Sequence, residues 1–372
     1  MTKIAYIGLD VHKNSITAAM LLPYKNDYEF VKKIPNYISK LKKLLKPLSQ
    51  KYDLLICYEA GCCGYKIYRE LTKIGYNCIV AAPSLIPRDN KRVKTDKLDA
   101  RKLALYLRSG ILRPVNVPDE TLEMDRDLVR FRYYQAQNLT KIKTQIKSFL
   151  LRKSIKYDAH DKSGSWGKDF LIWLETMELP SNDRSMLNKY MHHFHYQNKF
   201  VDELNHDLLE LSRTDKFIDQ VAILRAFRGI DTNTAMVLLT HIPDFRSFPN
   251  PKNLSSYAGL TQSERSSAEN KRQFGITKTG NKLLRNALVS AAQHYSKANK
   301  VGYGLRLNRK KLHSSISSVI DRADRRCRKK YYKMIFSGKH TNKAKTAVAR
   351  EIVCFVWEAM MIYHGNELRA IS

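Results

Sequence analysis

Ile4-Ala-Tyr-Ile-Gly-Leu-Asp10-Val-His12 decides how the first third of the chain is read. An apolar run of strand length ends on one carboxylate. Leu54-Leu-Ile-Cys-Tyr-Glu59 repeats the pattern. A charge at the end of a buried strand is costly unless it is paired or binds a metal. Two more acids, Asp96 and Asp99, open the helix-like stretch Thr95-Asp-Lys-Leu-Asp-Ala-Arg-Lys-Leu-Ala. Three residues apart on a helix, they share one face. Singly, each acid has a plain explanation: Asp96 as a helix cap or dipole partner, Asp99 as an ion pair with Lys102. As an ordered set they read as a cluster that needs a cation, and oxygen donors suit Mg²⁺.

Around these acids the pattern is mixed α/β. Strands are expected at about 3–10, 15–22 and 28–34, joined by short polar links as an antiparallel meander. A helix follows near 37–48, then a strand ending at Glu59, a helix at about 63–74 and a strand at 77–82 stopped by Pro83. The basic loop Pro87-Arg-Asp-Asn-Lys-Arg-Val-Lys leads into the helix of Asp96 and Asp99. This order matches a ribonuclease H-like arrangement, in which Asp10, Glu59, Asp96 and Asp99 would converge and hold two Mg²⁺ ions for phosphoryl transfer. The fold class expected is α/β plus α: this domain over 1–115, a helical or coiled-coil middle over 116–220, and a mainly helical part over 221–372.

In the middle, Leu128, Phe131, Leu139, Ile142, Ile146, Phe149 and Leu150 recur at helical spacing, and further helices are expected near 166–174 and 200–211, with a loop at Pro180-Ser-Asn-Asp. The role read for this region is a spacer or dimerisation arm. The last part opens on a pattern resembling a helix-hairpin-helix, Ile223 to Leu239. Gly229 fits a phosphate-holding hairpin, while Asp231 stands where a second glycine is usual, so a plain helical hairpin fits as well. A polar loop holds Ser266 and Ser267, ahead of a helix beginning near Asn281. A serine hydroxyl is a weak nucleophile until activated. Lys278 and Arg285 are candidate phosphate ligands. The basic tail, with Arg325, Arg326, Lys329 and Lys330 and with Tyr331 and Tyr332 interleaved, reads as backbone contact to nucleic acid.

The 372 residues carry a formal net charge of +31, which points to a polyanionic partner. No apolar run is long enough to span a bilayer, and the N-terminus meets an acid too early for a signal peptide, so a cytoplasmic protein is expected. The six cysteines form no Cys-x-x-Cys pair and read as free thiols rather than zinc ligands.

Several motifs in one order then carry a resemblance: Gly8-Leu-Asp-Val-His-Lys, Tyr58-Glu-Ala-Gly, Lys94-Thr-Asp-Lys-Leu-Asp-Ala, Gly229-Ile, Ser256-Tyr-Ala-Gly-Leu, the serine loop, and Ile276-Thr-Lys-Thr-Gly-Asn-Lys-Leu-Leu-Arg. Over nearly its whole length the chain resembles the insertion-sequence transposases of the family numbered one-ten, DEDD transposases described as bridge-RNA-guided recombinases. The resemblance implies a RuvC-like domain whose acids are Asp10, Glu59, Asp96 and Asp99, and a C-terminal domain with a nucleophilic serine. The position in register is Ser267, followed by Ala268 where the family usually has glycine, which keeps Ser266 open as the nucleophile. It further implies donor and target DNA, a non-coding guide RNA, and a homodimer or homotetramer. Two other readings stand beside it: a Mg²⁺-dependent nuclease of the Holliday-junction-resolvase type, and a nucleic-acid-binding protein without catalysis.

Overall fold

The computed structural model describes residues 3–61, 63–83, 86, 95–157, 166–267, 270–297 and 301–371; the side chains of 264–273 and 366–371 fall outside the description. The basic loop 87–94 also lies outside it. The chain divides into two compact units, Met1–Pro118 and Asp119–Ser372.

The first unit is built on a five-stranded sheet. β1 (Lys3–Val11), β2 (Ser15–Leu21) and β3 (Phe30–Pro35) form the expected meander. After α1 (Ile38–Ser49) the chain adds β4 (Tyr52–Glu59) parallel to β1, then α2 (Lys66–Lys73), then β5 (Asn77–Ala81) parallel to β4. The spatial order is β3-β2-β1-β4-β5. α3 (Asp96–Arg108) closes the unit, with Thr95 as its N-cap accepting from Leu98 N at 3.3 Å.

Strand alternation separates the two faces of the sheet. Ala5, Ile7 and Leu9 pack with Leu41 and Leu45 of α1 and Ile67 and Leu71 of α2. The other face receives α3 through Ala100, Leu103 and Ala104, all buried. Gly8 makes this approach possible: a Cβ there would lie 2.3 Å from Ala100 O and 2.4 Å from Ala104 N.

Among its described residues the second unit is helical apart from one β-hairpin. α4 (Glu120–Arg152) and α6 (Ser181–Ser212) run antiparallel, with α5 (Lys168–Thr176) between them in sequence. Their pairings descend in order: Arg132 to Asn205, Gln135 to Gln197, Lys153 to Asp183. The loop expected at Pro180-Ser-Asn-Asp is instead the start of α6. Pro180 holds φ −50 at the N-cap, where it needs no amide hydrogen, and Asp183 sits in the first turn.

α7 (Ile218–Arg225) and α8 (Thr232–His241) make a tight hairpin around Gly229, whose φ is +81. A Cβ on Gly229 would meet Ala291 O at 2.3 Å. Next come α9 (Pro251–Tyr257), the hairpin β6 (Gln262–Ser267) and β7 (Asn270–Ile276), then α10 (Lys282–Ala292), α11 (Tyr303–Lys310), α12 (Ser314–Phe336) and α13 (Thr341–Ile371). The core joins α7, α8 and α10 to the buried stripe Ile316, Val319, Ile320, Ala323, Cys327 and Tyr331 of α12.

Candidate metal and active site

The sheet register places the first two acids. Gly8 pairs with Cys57 and Leu9 with Tyr58, so Asp10 and Glu59 each stand one residue beyond a paired position on neighbouring parallel strands. Gly8 and Cys57 both face α3: Gly8 through the close approach described, Cys57 through its thiol donating to Leu103 O at 3.4 Å. Two residues on, Asp10 and Glu59 fall on that same face. Asp10 is also opposite Thr17, and Thr17 opposite Lys33, which makes a lateral row across three strands.

α3 brings the other two. Asp96, Asp99, Ala100 and Leu103 follow the spacing of one helical face, and Ala100 with Ala104 lets the helix lie close on the sheet. His12 Nε2 stands 3.2 Å from Asp10 Oδ2 and 3.4 Å from Asp96 Oδ1, and Lys33 Nζ donates to Asp96 Oδ2 at 2.7 Å. Burial pushes the Asp10 carboxyl above its ordinary range. His12 pulls against this, and the Asp99 and Asp96 charges add to it. Asp96 is more exposed and is held low, chiefly by the hydrogen bond from Lys33. Asp10, Asp96 and Asp99 therefore share one electrostatic neighbourhood, with Glu59 beside Asp10 by register.

This donor set fits a hard divalent cation. Asp10, His12 and Asp96 each offer a ligand atom within 4.8 Å of the others. Carboxylate oxygens are what Mg²⁺ takes. The fully buried Thr17, next to Asp10 in the row, has a hydroxyl without a partner. Sequence reading did not settle a part for His12 and missed that of Lys33. The signal for His12 was its spacing: Asp10 and His12 are two apart at a strand end, hence on one face.

The C-terminal residues are distributed differently. Ser266 and Ser267 end a β-strand rather than lying in a loop, and their side chains are outside the described part. Lys278 is exposed at φ +55. Arg285 is half-buried and donates to Ala258 O at 3.2 Å. Arg325, Arg326, Lys329 and Lys330 lie on α12. Arg326 and Lys330 both reach Glu351 of α13, at 2.6 and 2.5 Å. Both interleaved tyrosines make contacts inside the unit. Tyr331 is buried in the core and the Tyr332 hydroxyl donates to Ser296 O at 3.2 Å. At the Gly229 hairpin the Asp231 carboxylate caps α8, accepting from Thr234 N at 2.8 Å.

Among the described residues no helix is long and apolar enough to cross a membrane. Cys57, Cys63, Cys78, Cys327 and Cys354 are free thiols.

Comparison with known proteins bears on the same residues. Residues 7–154 match a family model of DEDD transposases of the IS110 type, a domain class that suggests a divalent metal, and residues 221–303 match the "Transposase IS116/IS110/IS902 family". The five-stranded mixed sheet is consistent with a ribonuclease H-like domain of that class. The chain is 32% identical over 356 residues to a putative transposase, y4qE, of Sinorhizobium fredii, covering 95% of this chain and 87% of the relative. It is 34% identical over 254 residues to the transposase for insertion sequence element IS1533 of Leptospira borgpetersenii, covering 67% and 73%. A third relative, the transposase for insertion sequence element IS1328 of Yersinia enterocolitica, is 22% identical over 79% of this chain and 85% of its own length. With the sheet, the acids and both family matches in one chain, this protein belongs to the IS110 family of insertion-sequence transposases.

Proposed function

We propose that this transposase cuts and rejoins DNA by attack of a serine on a phosphodiester, with Asp10, Glu59, Asp96 and Asp99 holding Mg²⁺. The observation that carries the reading is the convergence of Asp10 and α3's acids on one face of the sheet, with His12 between Asp10 and Asp96. At such a site a divalent ion supplies neutralisation of the charge that builds on phosphate oxygens during transfer. Asp10 and Glu59 sit on rigid strand ends, and Asp96 and Asp99 on a capped helix, so the four oxygens are held before substrate arrives.

Ser267, or Ser266 beside it, is the nucleophile in this reading. Its Oγ forms a bond to phosphorus as the bond to one flanking nucleotide breaks, releasing a hydroxyl end. The serine proton passes to solvent. The phosphoserine link keeps the bond for the reverse step, in which a hydroxyl end of the second DNA attacks and frees the serine. Lys278 and the basic face of α12 would hold the DNA backbones. A guide RNA would choose donor and target by base pairing. The α4–α6 pair would serve assembly into a homodimer or homotetramer, with acids and serine drawn from different protomers. The three-part division at 115 and 220 belongs to this proposal.

Trapping tests it. Wild-type protein is incubated with suicide donor DNA, Mg²⁺ and guide RNA transcribed from the DNA flanking the gene, and covalent protein–DNA adduct is measured on denaturing gels. Adduct is expected with wild type, and neither with Asp10→Asn nor with Ser267→Ala. Adduct surviving both Ser267→Ala and Ser266→Ala overturns the serine assignment. Hydrolysed ends without adduct would make the protein a nuclease in which water attacks.

A further inference from the structure

A cleft of about 860 Å³ opens between α9, α12 and α13. That is within the range of roughly 300–1,000 Å³ in which small ligands are bound. Three properties of its wall point to one chemistry. The first is charge. Among the described residues Lys252, Arg322, Arg325, Arg326, Lys329 and Arg350 line it against two carboxylates, Glu351 and Glu358. Glu351 is taken by Arg326 and Lys330, and Glu358 by Arg322. Lys252, Arg325, Lys329 and Arg350 are left with no acidic partner among the described residues.

The second is aromatic surface. Phe355 and Trp357 lie in the wall, and the Trp357 ring is fixed by its Nε1 donating to Phe248 O at 3.1 Å. The Arg322 guanidinium sits 6.0 Å from the centroid of Phe355. The third is an orphan. Ser255 lines the same cleft, is 2% exposed, and its hydroxyl has no hydrogen-bond partner. A buried hydroxyl left unpaired is unfavourable unless something else completes it.

Cations alone would suit any polyanion. Cations around an aromatic wall with one deep hydroxyl suit a nucleotide whose base is free of its stack: phosphates at the rim, the base face on the aromatic rings, a polar edge on Ser255. In a duplex the base faces are stacked on one another and cannot enter, so a duplex would touch the rim alone. We propose that the cleft between α9, α12 and α13 binds an unpaired nucleotide of a single-stranded nucleic acid, RNA or DNA. The proposal rests on the reading above for the class of ligand only, and not on the acids or the serine.

The test uses the full chain in EDTA, so that no strand is cut. Fluorescence anisotropy gives affinities for single-stranded RNA, single-stranded DNA and blunt duplex DNA of equal length. A second set of strands carries 2-aminopurine, whose emission drops on stacking. Wild type is expected to bind single strands more tightly than duplex and to quench 2-aminopurine. Ser255→Ala is expected to weaken single-strand binding several-fold and leave duplex binding unchanged. Arg325→Gln with Lys329→Gln is expected to weaken single-strand binding about tenfold. An unchanged thermal melt shows that each variant is folded. The Arg325→Gln with Lys329→Gln variant is expected to lose duplex binding as well, because those cations meet phosphates at the rim, so Ser255→Ala carries the distinction between single strand and duplex. Tighter binding of RNA identifies a ribonucleotide and tighter binding of DNA a deoxyribonucleotide, and either upholds the cleft. Equal losses for single strand and duplex, with Ser255→Ala silent and no quenching, overturn it. Asp10→Asn, run in parallel, is expected to keep single-strand binding. Absence of adduct from wild type with intact single-strand binding therefore counts against the catalytic reading alone, and adduct from wild type with no preference for single strands counts against the cleft alone.

Discussion

His12 touches both Asp10 and Asp96, and two roles separate cleanly by measurement. If the imidazole orients the carboxylates or joins them as a ligand, removing it weakens ion binding. Partners of this kind are typically worth 10–100-fold in metal affinity. His12→Ala is expected to lower Mn²⁺ affinity about tenfold by calorimetry; a rise in affinity would mean that the imidazole competes with the ion. A second histidine sets a pH response away from the site. His241 is buried, and burial first, then the charges of Arg126 and Arg130, holds its pKa down to about 3, against 6.5 unperturbed. The unfolded chain therefore binds the proton in the range where the folded chain does not. The stability contributed by the neutral ring is complete above about pH 6.5 and is lost as pH falls from there toward 3. The limiting slope is about 1.4 kcal/mol per pH unit for one proton. Urea melts at pH 7 and pH 5 are expected to show wild type losing more stability on acidification than His241→Gln; parallel losses would remove His241 as the cause.

At the scale of elements, the placement of α3 decides whether there is a site at all. Gly8→Ala puts a methyl group 2.3 Å from Ala100 O, so α3 must retreat and carry Asp96 and Asp99 away from Asp10. Overpacking of this kind costs about 1–3 kcal/mol. Denaturant melts are expected to show that loss together with loss of metal binding. Gly75→Ala is the control: its φ is +88 with no atom within 4 Å of the added Cβ. It should cost about 1 kcal/mol through backbone strain and leave metal binding intact. Much of this first unit was legible in the sequence. Apolar runs ending on acids and the stop at Pro83 are local signals, and the strands and helices fall within a few residues of where those signals put them; the cap read at Asp96 is instead Thr95, one residue earlier, with Asp96 in the first turn. The β6–β7 hairpin was not legible, because Gln262-Ser-Glu-Arg-Ser-Ser has no apolar alternation to mark a strand. Tyr331 was misread for a related reason. Its neighbours are cationic, and only the stripe from Ile316 through Cys327 shows that it continues the buried face of α12. The cleft beside α9 exists only once α9 has packed against the pair α12 and α13, far from it in sequence.

Over the whole molecule, charge and site oppose each other. Basic residues outnumber acidic ones in both units, and the net charge of +31 draws a nucleic-acid backbone to either. Phosphate contacts of this sort release counterions, so affinity should fall steeply with salt. The carboxylates on the α3 face work against that attraction. Without a divalent ion, Asp10 and its neighbours repel the phosphate they would process, across a distance that salt screens only beyond about 8–10 Å. Two opposite effects on DNA affinity follow at constant ionic strength. In EDTA, Asp10→Asn with Asp96→Asn is expected to bind duplex DNA more tightly than wild type, because two repelling charges are gone. With Ca²⁺ in place of EDTA, wild type is expected to gain affinity, because the same carboxylates now hold a cation against the backbone, while the double variant gains little. Anisotropy titrations in the two buffers measure both. If wild type and variant respond alike to Ca²⁺, the acids do not lie on the path of the DNA, and the basic surfaces hold it elsewhere.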